Sequence, residues 1–414
     1  MNSTVNQSVS RRSFMRIFGA ASAAATSFPA LAAVQQAGTQ APAAKSGGAR
    51  GMQFSSDTVV ISANENPLGP AQSALTAICS TASLGGRYHF DEYVKTIAVF
   101  NEQFDLKKDY SALFPGSSGP LDLALMSNIG PDKPLVYGDP SYEQGPRAAD
   151  TMKAQKFPVP LTATYAHDVR AMLKAHPSPG AYYIVNPNNP TGTMTPKEDL
   201  VWLVNNKPKG SVVIIDEAYH HFSDAESCID LVRQDKDVIV MRTFSKIYGM
   251  AGIRAGLAIA RPDLIQNFNS VGGPSQSLAS ISITSAAAAR ASLQDKDLVP
   301  LRKKINSDIR SETLEFLSKH GYKFVPGSQG NMFMVDVKRP GREFQAAMLK
   351  QNVAIGRTWS AMPSYVRVTV GTKAEMEKFQ TAFVKCMDMA PGNANGAAAL
   401  HLPEFHVPSE LYRG

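Results

Sequence analysis

Cysteine is scarce in this chain: only three of its 414 residues are cysteine, Cys79, Cys228 and Cys386. They lie too far apart for a CxxC pair and offer no disulfide framework. Long apolar runs are missing too, and no stretch reaches the roughly 20 residues that a membrane-spanning helix needs, so the mature chain is not expected to span a membrane. Charge of one sign is not concentrated. The balance of 42 Lys and Arg against 35 Asp and Glu leaves a formal +7, with no basic stripe interleaved with aromatics, which argues against nucleic-acid binding. No internal repeat and no helix-turn-helix pattern is present. His220 and His221 are adjacent, so they project in different directions, and no carboxylate-histidine cluster joins them; no metal site is expected. What remains, 43% hydrophobic and 19% charged residues, is ordinary for a globular chain long enough for two domains with sizeable cores.

The N-terminus carries Ser10-Arg11-Arg12-Ser13-Phe14-Met15-Arg16, a mildly apolar stretch from Ile17 to Phe28, and a small-residue Ala30-Leu31-Ala32 site. This resembles a twin-arginine export signal. Residues 1–32 contain three arginines and no acidic residue, so cleavage after Ala32 lowers the formal charge by three, to +4. The expectation is a mature protein in the periplasm, delivered by the twin-arginine export machinery. Residues 33–56 begin with an Ala, Gln, Gly, Pro and Ser-rich run and read as a flexible linker.

Four apolar stretches end in chemistry. Val238-Ile239-Val240-Met241 leads into Thr243-Phe244-Ser245-Lys246-Ile247-Tyr248-Gly249-Met250-Ala251-Gly252-Ile253-Arg254, a small-residue turn after a buried strand. A lysine in a confined site beside another cation, here Arg254, has a lowered pKa and becomes a nucleophile towards an aldehyde. Thr243, Ser245 and Arg254 can grip a phosphate, and Gly249 and Gly252 are expected to let the backbone approach a ligand. Lysine plus phosphate grip suggests pyridoxal 5'-phosphate. The other three stretches are Leu135-Val136-Tyr137 ending at Tyr142, Tyr182-Tyr183-Ile184-Val185 ending in Asn186-Pro187-Asn188-Asn189-Pro190-Thr191-Gly192, and Val212-Val213-Ile214-Ile215 ending in Asp216-Glu217-Ala218-Tyr219. A carboxylate at the end of an all-apolar strand is costly without a cationic partner. Helical stretches separate these runs, the pattern of a mainly parallel α/β sheet whose ligand sits beyond the carboxyl ends of its strands.

With these motifs the chain resembles the fold-type I pyridoxal-phosphate aminotransferases, in the class I/II branch that contains histidinol-phosphate aminotransferases. The resemblance spans about residues 57–388. It implies a seven-stranded-type sheet in a large cofactor domain, a smaller α+β C-terminal domain, and a homodimer. It also implies that Lys246 carries the internal aldimine, Asp216 meets the ring nitrogen, Asn189 and Tyr219 meet the phenolic oxygen, and Tyr142 stacks on the ring. The loop Phe114–Leu121, which holds Ser118 and Gly119, and the helix expected over Leu121–Asn128 become the phosphate cradle; Leu121 stands where the family commonly has an acidic residue. By the same resemblance Tyr88 reaches the partner subunit's cofactor phosphate, Asn64 in Asn64-Glu65-Asn66-Pro67 lies over the active-site mouth, and Arg367 forks onto the substrate α-carboxylate.

The expected domain order is a signal over 1–32, a linker over 33–56, an N-terminal arm over 57–85, the large domain over 86–294, the small domain over 295–389, and a tail over 390–414 without assigned function. Leu301, Ile305, Ile309, Thr313, Phe316 and Leu317 predict one buried face of a long helix ending at His320-Gly321, with Arg302, Lys303 and Lys304 in solvent. Arg357, ten positions before Arg367, is a candidate second anion contact. The expected reaction transfers an amino group from an amino acid or similar metabolite to a 2-oxo acid. Decarboxylase, lyase or oxidase chemistry on the same scaffold, a cofactor-binding sensor, and cytoplasmic histidinol-phosphate aminotransferase activity if the signal is not one, stay open as alternatives.

Overall fold

The structure is a computed structural model that describes residues 54–272 and 281–389. The expected signal, most of the linker and the C-terminal tail lie outside the described residues.

The main sheet has seven strands: β2 (Ser111–Phe114), β3 (Leu135–Asp139), β4 (Lys156–Pro160), β5 (Ala181–Val185), β6 (Val212–Asp216), β7 (Val238–Thr243) and β8 (Gly256–Ile259), ordered β2-β8-β7-β6-β5-β3-β4. Only β8 runs against the others. Every residue of β5, β6 and β7 is buried, which is why these strands read as unbroken apolar runs: helices cover both faces of the sheet. Successive side chains feed two separate cores. Tyr182, Ile184, Val213, Ile215, Val238 and Val240 enter one, while Tyr183, Val185, Val212, Ile214, Ile239 and Met241 enter the other. At the β4 edge, Pro158 and Pro160 occupy positions that need no ladder donor on the outer side and protect that edge from further pairing. Ala286–Ala289 lie within the helix Ile283–Gln294 and are all buried. Their small size lets that helix pack closely against Gln72–Ala82 and Phe90–Phe104.

A third core forms around β9 (Met332–Asp336) and β11 (Tyr365–Thr369), which pair antiparallel with Arg367 opposite Met334. The arm strand β1 (Val59–Ile61) pairs in parallel with β10 (Val353–Ile355), so Val59 and Ile61 are buried with Phe333, Phe379 and Phe383. The arm is thus built into the C-terminal core.

The helix Leu298–Lys319 ends as expected, with His320 as its cap and Gly321 at φ 73°. Its buried face differs from the expectation. Leu301 is 59% exposed, whereas Arg302 is 6% exposed and donates to the carbonyls of Ile247, at 3.0 Å, and Gly69, at 2.6 Å. The buried positions are Leu298, Arg302, Arg310, Thr313 and Leu317, about one residue's rotation from the apolar stripe. Two waiting carbonyls in loops distant in sequence pull the arginine inward.

Candidate active site

Strand register brings the site together. Val185 pairs with Asp216, Asp216 with Met241, Thr243 with Gly256, and Gly256 with Phe114. The residues just after β5, β7 and β2 therefore share one end of the sheet with Asp216. The turn after β7 is closed on itself, Phe244 N donating to Ala255 O and Met250 N to Phe244 O, each at 3.0 Å.

An anion cradle lies on one side of this turn. Thr243 Oγ1 is 3.0 Å from Ser245 Oγ, and Arg254 Nη1 reaches Ala251 O at 2.9 Å and Ser245 Oγ at 3.4 Å. The Arg254 guanidinium lies over Gly116, so close that a Cβ on Gly116 would sit 2.1 Å from Nη2. Immediately beyond, the helix Ser118–Met126 begins, with Ser118 and Gly119 in its first turn. Hydroxyls, a guanidinium and free helix N–H groups meet here, a combination suited to a phosphate. Leu121 is core. Gly249, at φ 65°, serves a different purpose from the one expected: its missing side chain admits the carbonyl of Gly69, 2.1 Å from an ideal Cβ, and so joins two loops. Around Gly252 nothing comes within that range.

Lys246 Nζ lies 5.5 Å from the Tyr219 ring centre and 3.3 Å from Ala63 O. Burial, followed by the Arg367 charge, lowers its pKa to about 8, against the pull of Glu65 and Asp216; Arg254, the cation expected to matter, has the smallest influence of these. Asp216, at the end of the neighbouring strand, accepts from Ala218 N at 3.0 Å and from Tyr183 Oη at 3.5 Å. Burial raises its carboxyl to about 6, and among the described residues it has no ion pair. Glu217 next to it is the opposite case. Burial also works against its charge, but Arg242 at 2.7 Å, Cys228 N at 2.7 Å and Ser227 Oγ at 2.8 Å hold it below its ordinary pKa. One carboxylate is saturated by the protein and the other is available to a cationic ligand.

A chain of polar side chains links the arm, the sheet and the C-terminal core. Asn64 Nδ2 donates to Tyr219 Oη at 3.0 Å, Asn189 Nδ2 approaches the same oxygen at 3.4 Å, and Arg367 Nη1 donates to Asn189 Oδ1 at 2.8 Å. Arg367 Nη2 donates to Ser62 O at 2.5 Å, while its buried Nε has no acceptor among the described residues. Burial brings this guanidinium down to about 10. Tyr142 is pushed up to about 12 by burial, and the charges of Asp216 and Tyr219 also reach it.

The structure gathers Asn64, Tyr142, Asn189, Asp216, Tyr219, Lys246 and Arg367 around one centre, with Ser118, Gly119, Thr243, Ser245 and Arg254 beside it. Tyr88 is elsewhere: it is 81% exposed and stacked on Phe90 at 5.6 Å. Arg357 is near the centre but ion-paired with Glu143. Sequence reasoning did not single out Glu143, Trp359 or Tyr183. Trp359 Nε1 donates to Ser141 O at 3.0 Å and the ring lies under both Arg357 and Arg367; a tryptophan between two arginines was the available signal. His221, held neutral by burial, sits 3.0 Å from Arg242 Nη1, and among the described residues no group of three or more His, Cys, Asp or Glu gathers as metal ligands would.

A parallel sheet ending in a buried low-pKa lysine, an unpaired buried carboxyl and an anion cradle defines a fold-type I pyridoxal-phosphate enzyme. The residues fit that cofactor: among the described residues Asp216 has no ion pair to answer its charge, and Thr243, Ser245, Arg254 and the helix start at Ser118 suit a phosphate. The chain belongs to the aminotransferase class I and II family, whose model matches residues 56–383. It is 31% identical over 366 residues to histidinol-phosphate aminotransferase 2 of Nitrosospira multiformis, covering 87% of this chain and 91% of that one. It is 29% identical to the aromatic amino acid aminotransferase of Cutibacterium acnes, covering 80% and 92%. In fold it is similar to the crystal structure of Sinorhizobium meliloti histidinol-phosphate aminotransferase in complex with pyridoxal 5'-phosphate, with a TM-score of 0.71 at 24% identity over 79% of this chain and 90% of that one. The protein is a pyridoxal-phosphate-dependent aminotransferase.

Proposed function

We propose that this aminotransferase is an exported homodimer that moves an amino group between a free amino acid, or an amino-acid-like metabolite, and a 2-oxo acid. The observation that carries the reading is Lys246: buried, lowered to about 8, and facing Tyr219 beside the unpaired Asp216. At pH 7 about one such amine in ten is neutral, against fewer than one in a thousand for an ordinary lysine. Bound pyridoxal phosphate supplies an electron sink. Lys246 Nζ would hold the cofactor covalently and, as a free amine, would take the proton from the substrate Cα and return it. Asp216 would keep a proton at the ring nitrogen, Asn189 and Tyr219 would hold the phenolic oxygen, and Tyr142 would pack against the ring. Ser118, Gly119, Thr243, Ser245 and Arg254 would hold the phosphate.

Arg367 takes the substrate α-carboxylate through the guanidinium whose Nε has no acceptor among the described residues, with Asn64 closing the mouth of the site. Tyr88 serves the neighbouring subunit. Its exposure supports this, as does that of Leu68, Leu75, Leu84, Phe90 and Val94, which form an apolar region around it in sequence. The test uses one preparation of the cofactor-loaded protein with a panel of amino donors and 2-oxo acids, products identified by mass. Amino transfer by a particle with the mass of two chains is expected; a fully active monomer, or loss of CO2 or ammonia in place of transfer, overturns it.

Location rests on Arg11-Arg12 and the weakly apolar stretch behind them. The native N-terminus is expected near Ala33, in protein recovered from the periplasm with its cofactor in place. Replacing both arginines by lysine is expected to hold active, full-length enzyme in the cytoplasm. Continued export of that variant, or a native N-terminus at Met1 or Asn2, removes the reading and returns histidinol phosphate as a leading substrate.

A further inference from the structure

Glu143 follows Tyr142 in the turn after β3 and sits between two guanidiniums: it is ion-paired with Arg357 and accepts from Arg147 Nη2 at 3.3 Å. Arg357 belongs to the site. Its backbone carbonyl accepts from Arg367 N at 3.3 Å, and its charge acts on Tyr142, Tyr219 and Arg367. Its guanidinium lies 4.8 Å from the centre of the Trp359 ring, with Arg367 at 5.4 Å from the same ring. Trp359 is itself buried and tied to Ser141 O. Arg357 is therefore held beside the α-carboxylate arginine, where the side chain of a bound amino acid would meet it, but its charge is already answered. The pair is partly open to solvent, with side-chain exposures of 23% for Arg357 and 34% for Glu143, so it can be exchanged for another anion.

We propose that Glu143 is a specificity-determining residue: by occupying Arg357 it selects amino donors with neutral side chains over donors with a second carboxylate or a phosphate. This rests on the aminotransferase reading of the same site. An acidic side chain gains Arg357 only by displacing Glu143, and then faces a carboxylate left nearby. A neutral side chain displaces nothing. Arg367 stays available for the α-carboxylate in both cases.

The test compares the parent with Glu143→Gln, which keeps the shape and removes the charge, and with the double variant Glu143→Gln/Arg357→Gln. Two readouts are taken on the holoenzyme: kcat/KM for glutamate and aspartate against leucine and phenylalanine, and Kd for the unreactive analogues succinate and 3-phenylpropionate from the change in cofactor absorbance. In Glu143→Gln the acidic-over-neutral ratio is expected to rise about tenfold in both readouts, and in the double variant the rise is expected to disappear. An unchanged ratio in Glu143→Gln overturns the proposal, as does a rise that persists without Arg357. If the parent transaminates no donor yet the succinate-over-3-phenylpropionate ratio shifts as stated, the aminotransferase reading fails while the role of Glu143 stands.

Discussion

Lys246→Ala is expected to slow amino transfer by at least about 10⁴-fold, because in the proposed function one side chain supplies both the covalent attachment and the moving proton. Its Nζ is the buried amine at the focus of the site, 5.5 Å from the Tyr219 ring centre, and the surrounding burial and Arg367 charge make its neutral form accessible near pH 7. The cradle of Thr243, Ser245, Arg254 and the helix start at Ser118 is untouched by the change, so the variant is expected still to bind pyridoxal phosphate, reversibly. Borohydride treatment followed by peptide mapping separates the two states. The parent should be labelled at Lys246 and the variant at no lysine; a label on any other lysine of the parent means that the site is centred on the wrong residue.

Asp216→Asn is expected to pull activity and stability in opposite directions. With cofactor bound, loss of the carboxylate proposed to keep the ring nitrogen protonated is expected to reduce kcat by on the order of 10³-fold. Without cofactor, the same carboxylate is a liability. Burial raises its pKa from 3.8 to about 6, so between those values the folded chain binds a proton that the unfolded chain has released. Stability contributed by this group is therefore present below pH 3.8 and declines as pH rises through 6, by up to about 3 kcal/mol. Cofactor-free Asp216→Asn is accordingly expected to melt above the cofactor-free parent at pH 8, with the gap closing towards pH 4. A parent that is the more thermostable at pH 8 without cofactor would show that Asp216 has a cationic partner within the protein.

The parts of this protein that were legible in its sequence are those where chemistry and chain direction coincide. β5, β6 and β7 announce themselves because both faces of each are buried, and Asn189, Asp216 and Lys246 follow directly after or close these runs, so a parallel sheet necessarily brings them to one end. The fold and the centre of the site follow from that local coincidence. Tertiary structure alone decided the rest, because it depends on partners distant in sequence. Helical periodicity placed Leu301 inward and Arg302 outward; the carbonyls of Gly69 and Ile247 reversed both. A lysine beside an arginine in sequence suggested Arg254 as the cation that lowers its pKa, yet burial and Arg367 on β11 do most of this. Arg357 reads as a free anion contact until Glu143, more than two hundred positions earlier, is folded against it. A strand pattern records burial and direction, which are properties of neighbours in the chain, whereas charge pairing and desolvation are set by whichever groups the finished fold brings within a few ångströms.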